Sequence, residues 1–437
     1  MSTQRVLPWR PNGVPKKRLV HIPGQLIVEI KPQARALALG PSSGNPLREP
    51  MEHLKTNAGM KRMVPLFTDP AGKRGGQGAV ASKQAVAVGD YSPMAELGGF
   101  HVCHLDGKRI TPALLKKLRS HPAFSAVEPM PARFISAGPG VAPDPETGRQ
   151  WGLKAIKWFD IKSHSTPGII VAVLDSGLDR GHPDLKNAVV DYHRGKFKAE
   201  DILGHGTHVA GVIGAGINNG VGIAGVAECK LEVWKVFPDS PQGDNEFYVD
   251  GPAYLQALGE VLAGAPRGVR VLNISITGLE ESSTERVIFR ALENAGVVVV
   301  AAIGNDFENG NPVYYPAAYE GVLAVGAVDS DLQRWKGSST GAHIGLMAPG
   351  VSILSTVPRK KSAFRSETGY ASWLGTSMAA PHVAGAAALY LANHPAASAA
   401  EVRKAITGST RRAPPMGAKK FTEEYGSGFL DLHGLLG

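Results

Sequence analysis

A three-layer α/β/α sandwich on a mostly parallel sheet, preceded by a small α+β unit, is the fold class the sequence predicts. Three observations predict it. The chain has 437 residues, 43% of them hydrophobic, with 53 Gly and 32 Pro, which is enough for two domains of unequal size. Five short Val- and Ile-rich runs, at 168–174, 231–237, 269–274, 297–302 and 322–328, alternate with helical patterns. Continuous runs of this kind belong to parallel strands buried on both faces, with the helices as crossovers. Residues 136–149 are mostly Gly, Pro, Ala and acidic side chains, the composition of an exposed linker open to proteolysis.

The elements ahead of the linker are fewer. Residues 1–20 form a Pro- and Lys-rich leader, and 25–30 (Gln-Leu-Ile-Val-Glu-Ile) reads as a strand. Residues 34–97 carry much Gly, Pro, Ser and Lys with little periodicity and are expected to be a long insertion or loop. Beyond it, 99–105 reads as a strand, 111–120 as an amphipathic helix capped by Thr111, and 126–129 as a further short strand. These place the small unit at 21–135 and the large domain at 150–437.

The net charge of +9 raises the question of a nucleic-acid partner, and its distribution answers against one. Residues 1–149 hold 21 Lys and Arg against 10 Asp and Glu, whereas the remainder holds 26 against 28. The basic half therefore reads as a solvated face able to dock on a mildly acidic partner domain, and no stacking-aromatic pattern supports nucleic acid. The two cysteines, Cys103 and Cys229, lie on opposite sides of the linker and are expected to be free thiols. The first 20 residues lack the apolar run of a secretory signal, and no stretch approaches a membrane span. The expectation is a monomer without membrane contact, working in the cytoplasm or exported by an unconventional route, with secretion remaining open.

Chemistry concentrates at three places. Asp175 directly follows the run 168–174, where open parallel sheets gather functional groups; an Asp opening a turn would explain it equally well taken alone. His205 stands in Gly204-His-Gly-Thr-His-Val-Ala-Gly211 at the start of a helix. The spacing of His205 and His208 fits no zinc-protease pattern, so His208 is expected to be a packing residue. Ser377 opens a long helix of small residues in Gly375-Thr-Ser-Met-Ala-Ala-Pro-His-Val-Ala-Gly385. A plain N-cap would be the favoured explanation for that serine by itself. Together the three supply a nucleophile, an imidazole to take its proton and a carboxylate to hold the imidazole. Their order, Asp then His then Ser, separates the site from hydrolases whose serine comes first in a Gly-x-Ser-x-Gly elbow.

Val171-Ala-Val-Leu-Asp-Ser-Gly-Leu-Asp179 and the two blocks just quoted resemble the three signature blocks of the subtilisin family, and the similarity runs from about residue 150 to 429. The resemblance implies a subtilisin-like serine endopeptidase with Asp175, His205 and Ser377 as its catalytic triad, acting on extended polypeptide substrates. It implies Asn305 as an oxyanion donor beside the Ser377 backbone, with help from the Thr376 hydroxyl. Ser275, Ile276, Thr277 and Gly278 match one wall of the primary specificity pocket, and Ala302, Ile303 and Gly304 the other. Thr277 stands where glycine is typical, so a β-branched side chain is expected to narrow the pocket. Asp306, at its mouth by the same match, would favour a basic residue before the scissile bond. A structural Ca²⁺ is implied at Asp184, Asn219 and the carbonyls of Ile217, Val221 and Ile223, although an ordinary Asx-rich turn accounts for the same residues. The N-terminal unit resembles the family's inhibitory prodomain, removed by self-cleavage in the linker. The alternative, from another class, is a catalytically silent peptide-binding protein on the same fold.

Overall fold

The computed structural model describes residues 21–31, 48–66, 100–106, 110–131, 134–135, 138–139, 148–242, 246–359, 362 and 366–437. The leader lies outside them, as does most of the linker.

The N-terminal unit is a four-stranded antiparallel sheet in the order β2-β3-β1-β4, from β1 (His21–Ile30), β2 (Met60–Pro65), β3 (Phe100–Leu105) and β4 (Phe124–Pro131). Among the described residues its helices, α1 (Arg48–Ala58) and α2 (Pro112–Arg119), pack on each other. Thr111 caps α2 as expected, its side chain accepting from Leu114 N. One expectation is corrected. Residues 34–97 are not all insertion, because α1 and the edge strand β2 lie within them; Met51, Leu54 and Ala58 recur at helical spacing, and Leu54 and Ala58 are fully buried.

Strand periodicity gives this sheet two apolar faces. Leu26, Val28 and Ile30 of β1 join Leu54, Leu118 and Phe124 in a private core. Ile27, Phe100, Val102 and Met130 join the core of the large domain.

After β4 the backbone makes two more short pairings. β5 (Phe134–Ile135) and β6 (Gly138–Pro139) each attach to a strand of the large domain described below. The large domain holds a seven-stranded parallel sheet in the order β14-β13-β12-β10-β7-β9-β8. Its strands are β7 (Ser165–Asp175), β8 (Val189–His193), β9 (Glu228–Lys235), β10 (Val269–Ile274), β12 (Val298–Ala302), β13 (Val322–Val328) and β14 (Ile344–Pro349). The five runs singled out in the sequence become β7, β9, β10, β12 and β13. β10 and β12 are buried almost throughout, as strands covered on both faces must be.

Helices α3 (His205–Gly214) and α6 (Thr376–Asn393) pack against each other and the sheet, as do α4 (Gly251–Gly264) and α5 (Ser283–Asn294). Short strands complete the site: β11 (Ile276–Thr277) directly after β10, and the hairpin of β15 (Ile353–Thr356) with β16 (Tyr370–Leu374). β5 pairs antiparallel with β11, and β6 pairs antiparallel with β16.

The two units are also joined by a carboxylate at a helix end. Glu128 of β4 accepts from Ser283 N at 2.9 Å, Ser283 Oγ at 2.8 Å and Thr284 N at 3.3 Å, and from the Ser282 hydroxyl. The first turn of α5 leaves such N–H groups without intrahelical partners, and negative charge is favoured there.

Candidate active site

β7 ends on Asp175, fully buried, and α3 begins on His205, 2% exposed. The His205 Nδ1–H donates to Asp175 Oδ1 at 2.7 Å, and Ser176 N donates to the same oxygen at 2.6 Å. This fixes the tautomer: Nδ1 carries the proton and Nε2 is left as the basic nitrogen. His205 Nε2 is buried and has no hydrogen-bond partner among the described residues. The close approach of α3 to the β7 turn requires glycine, since a Cβ on Gly206 would sit 2.2 Å from the Gly177 carbonyl oxygen.

Asp201, which the sequence reading missed, fastens this corner. Its carboxylate accepts from Ser176 Oγ and Gly204 N at 2.8 Å, and from Thr207 N at 2.9 Å and Thr207 Oγ1 at 2.6 Å. An acid four residues ahead of a helix-opening His is the signal that would have found it. Lys235, paired with Asp175 in the β7–β9 register, donates to Ser176 O at 2.8 Å; burial lowers its pKa and the Asp201 charge raises it in opposition.

Ser377 is the second residue of α6, after Gly375 in a left-handed conformation at φ 135°. Its hydroxyl donates to Ser275 O at 3.2 Å, and Ser275 Oγ donates back to Ser377 O at 3.0 Å. The serine is thus locked to the residue between β10 and β11. Asn305 follows β12, and its Oδ1 accepts from Thr376 N at 2.9 Å and Thr376 Oγ1 at 2.8 Å. That leaves the Asn305 Nδ2–H groups to donate elsewhere. The Thr376 hydroxyl spends its proton on Asn305 and accepts from Gly304 N at 3.2 Å. Thr376 therefore orients Asn305, and is not placed to donate to an oxyanion itself.

The pocket residues gather around the same point. Ser275, Ile276 and Thr277 are fully buried, and Gly278 exchanges backbone hydrogen bonds of 2.8 Å with Tyr315. Ala302, Ile303 and Gly304 are buried opposite, with Gly304 at φ 116° and a would-be Cβ 2.2 Å from Tyr314 Cδ2. Asp306 departs from expectation. Its Oδ2 accepts from the Tyr314 hydroxyl at 2.7 Å and its Oδ1 from Asn309 Nδ2 at 3.1 Å, so it braces the loop after β12, with both oxygens engaged within that loop.

At Asp184, 2% exposed, three donors converge: Asn219 Nδ2 at 2.7 Å, Ile223 N at 2.9 Å and the Tyr370 hydroxyl at 3.2 Å. Burial, and then the Asp184 charge, push the Tyr370 pKa up. None of the described residues donates to the carbonyls of Ile217, Val221 or Ile223. One carboxylate beside unmatched carbonyls is a donor set suited to a hard cation. Among the described residues there is no cluster of three or more His, Cys, Asp or Glu side chains that would suit another metal. Both cysteines are free and buried, and burial pushes each thiol up to about 12.

A nucleophile at a helix head, across a parallel sheet edge from a carboxylate-held imidazole, is the layout of a serine hydrolase. Residues 166–428 match the model of the subtilase family, peptidase S8, and the chain belongs to that family, a serine endopeptidase of the subtilisin type. Subtilisin DY of Bacillus licheniformis is 36% identical over 288 residues, 64% of this chain and 96% of that one. The major intracellular serine protease of Bacillus subtilis is 40% identical over 253 residues, 54% of this chain and 73% of the relative. In structure, the chain resembles fervidolysin from Fervidobacterium pennivorans, a keratinolytic enzyme related to subtilisin, with TM-score 0.70 and 24% identity. That match takes in 95% of this chain, which spans 61% of the fervidolysin chain.

His208 behaves as the packing residue the sequence suggested. It stacks on Trp373 with ring centroids 4.9 Å apart, and its Nε2 faces the Ile353 and Ala371 carbonyls at 3.0 and 3.2 Å. Burial, and after it the neighbouring His205, hold its pKa down to about 3. Because the folded value lies below the ordinary 6.5, the unfolded chain takes up the proton first as pH falls. The stability this neutral ring secures is whole above pH 6.5 and is lost as pH drops toward 3. In a Ser377→Ala background, melting temperature measured against pH should fall less steeply below 6.5 once His208 is changed to Gln; parallel curves would refute the assignment.

Proposed function

We propose that this chain hydrolyses internal peptide bonds through an acyl-enzyme on Ser377, and that it matures by cutting away its own N-terminal unit. The observation that carries the reading is the 2.7 Å bond from His205 Nδ1 to Asp175 Oδ1, which leaves Nε2 as a base with no other partner. In the reaction, Ser377 Oγ moves from the Ser275 carbonyl to attack the substrate carbonyl, and His205 Nε2 takes its proton. Asp175 stabilises the imidazolium that forms. The oxygen of the tetrahedral intermediate is received by the Ser377 backbone N–H at the helix head and by Asn305 Nδ2, held in position by Thr376. His205 then passes its proton to the leaving amine, and water hydrolyses the ester. Substrate adds as an extended strand beside β11, where backbone hydrogen bonds give affinity and pockets give selectivity. Thr277, buried in the wall of that pocket, favours a small residue before the scissile bond.

The N-terminal unit acts as an intramolecular inhibitor. Its support is the apolar face shared with the large domain, the Glu128 cap on α5, and the backbone pairing of β5 and β6 with β11 and β16 on either side of Ser377. Asp184, Asn219 and the carbonyls of Ile217, Val221 and Ile223 would hold a Ca²⁺ ion, which would supply a structural tie between the 217–223 loop and Asp184.

Four measurements test this reading: turnover, active-site labelling, release of the cut complex on dilution, and the response to Ca²⁺. Asn305→Ala should lower kcat for a peptide substrate by about 10²–10³-fold with KM little changed, a range that subtilisin itself supplied, while Ser377→Ala should abolish labelling by a fluorophosphonate. For Glu128→Ala, the concentration at which the cut complex releases half of its activity on dilution should rise about 10- to 100-fold, as the loss of charge-assisted hydrogen bonds implies. Adding Ca²⁺ at about 100 times its Kd should stabilise the fold by about 2.7 kcal/mol in denaturant melts, and Asp184→Ala should remove that response.

A further inference from the structure

One large side chain lies where the two walls of the specificity pocket meet. Tyr314 is 1% exposed, and its ring rests on Gly304 so closely that a Cβ there would sit 2.2 Å from Cδ2 and 2.7 Å from Cε2. The next residue, Tyr315, exchanges backbone hydrogen bonds of 2.8 Å in both directions with Gly278, at the end of the other wall. Leu279, one residue beyond that wall, packs in the same apolar cluster as Tyr314. The phenol oxygen is fixed too: it donates to Asp306 Oδ2 at 2.7 Å, while Asn309 Nδ2 holds Oδ1 at 3.1 Å. Ser339 ties these pieces together, its Oγ accepting from Asp306 N at 3.3 Å and its N donating to Gly304 O at 2.9 Å.

We infer that Tyr314 is a specificity-determining residue, whose ring fills the inner end of the pocket and limits the residue before the scissile bond to Gly, Ala or Ser. This rests on the protease reading above and adds to it the side chain that closes the pocket. A buried ring that is packed on Gly304 and hydrogen-bonded at its tip does not swing aside for a substrate, because leaving would open a cavity and strip a partner from a nearly buried carboxylate. Thr277 and Tyr314 then restrict different dimensions. Thr277, in the wall, limits width; Tyr314, between the walls, limits depth. The phenol also occupies the position on Asp306 that a basic substrate side chain would need, so the enzyme satisfies that carboxylate internally.

The test is kcat/KM for matched peptides that differ only in the residue before the scissile bond: alanine, valine, phenylalanine or lysine. Wild type should favour alanine over phenylalanine and over lysine. Tyr314→Ala should raise the phenylalanine-to-alanine ratio by about 10- to 200-fold, the range a change in an apolar pocket gives. It should raise lysine as well, through a charge-assisted bond to the freed Asp306, and adding Asp306→Asn should cancel the lysine gain and spare that for phenylalanine. Thr277→Gly, which widens one wall and leaves the ring, should raise valine while phenylalanine stays excluded. Labelling of Ser377 by a fluorophosphonate checks that each variant keeps its site. A wild type that cuts after phenylalanine as readily as after alanine overturns the assignment, as does a labelled Tyr314→Ala with an unchanged ratio. Should that variant not fold, Thr277→Gly decides: admission of phenylalanine past the intact ring overturns the assignment, and its exclusion with valine admitted supports it. A wild type that neither labels nor cuts any of the four peptides overturns the protease reading itself.

Discussion

Asp175 and His205 meet at 2.7 Å because two constraints of a parallel sheet coincide. All seven strands point the same way, so the carboxyl ends of β7, β10 and β12 open on one edge, and Asp175, Ser275 and Asn305 follow from them in turn. Helix α3 returns to that edge and is admitted by glycines at 177 and 206, where any side chain would collide with backbone. Buried charge at such a corner is costly unless it is matched. Asp201, with four donors, and Lys235, against the Ser176 carbonyl, supply the matching. The rest of the site depends on this corner, since an imidazole in another tautomer or orientation would present no base to Ser377.

Much of this was legible in the sequence, and the residues show why. β10 and β12 read plainly because strands covered on both faces must be continuous runs of Val, Ile, Leu and Ala. β8 (Val189–His193) did not, since its half-exposed Asp-Tyr-His tail lacks such a run; nor did β14, which holds Gly345 and ends on Pro349 at the sheet edge. Helix α1 was overlooked because Gly- and Pro-rich sequence on both sides masked a single apolar stripe. The site residues named in motifs came out together, and so could Asp201 have done from its place four residues ahead of His205, whereas Lys235 acts through a contact that spans 59 residues. Long-range matching of that kind leaves no local pattern.

The N-terminal sheet raises a separate physical point. A four-stranded sheet with two helices can bury one face by itself, and here Leu26, Val28 and Ile30 do so. The other face, with Ile27, Phe100, Val102 and Met130, is buried only by the large domain. Glu128 adds polar matching to that apolar contact by satisfying the first turn of α5, an end that would otherwise rely on water. Separation of the two units would therefore expose apolar surface on both and leave the Ser283 and Thr284 N–H groups of α5 without Glu128. This couples the stability of the small unit to its contact with the large one.

Asp306 and Thr277 show how far a motif can carry a specificity argument. By position alone Asp306 offers a carboxylate at the pocket mouth, yet Tyr314, eight residues on, draws one oxygen inward and Asn309 takes the other. A carboxylate so engaged has its lone pairs directed into the loop, and presenting charge to a substrate would mean giving up hydrogen bonds that a nearly buried group needs. Thr277 acts in the opposite sense. Glycine would place no side chain here, while the buried threonine adds a branched one with restricted χ1. On the reading proposed above, selectivity would follow the space Thr277 leaves, while both oxygens of Asp306 are engaged within its own loop.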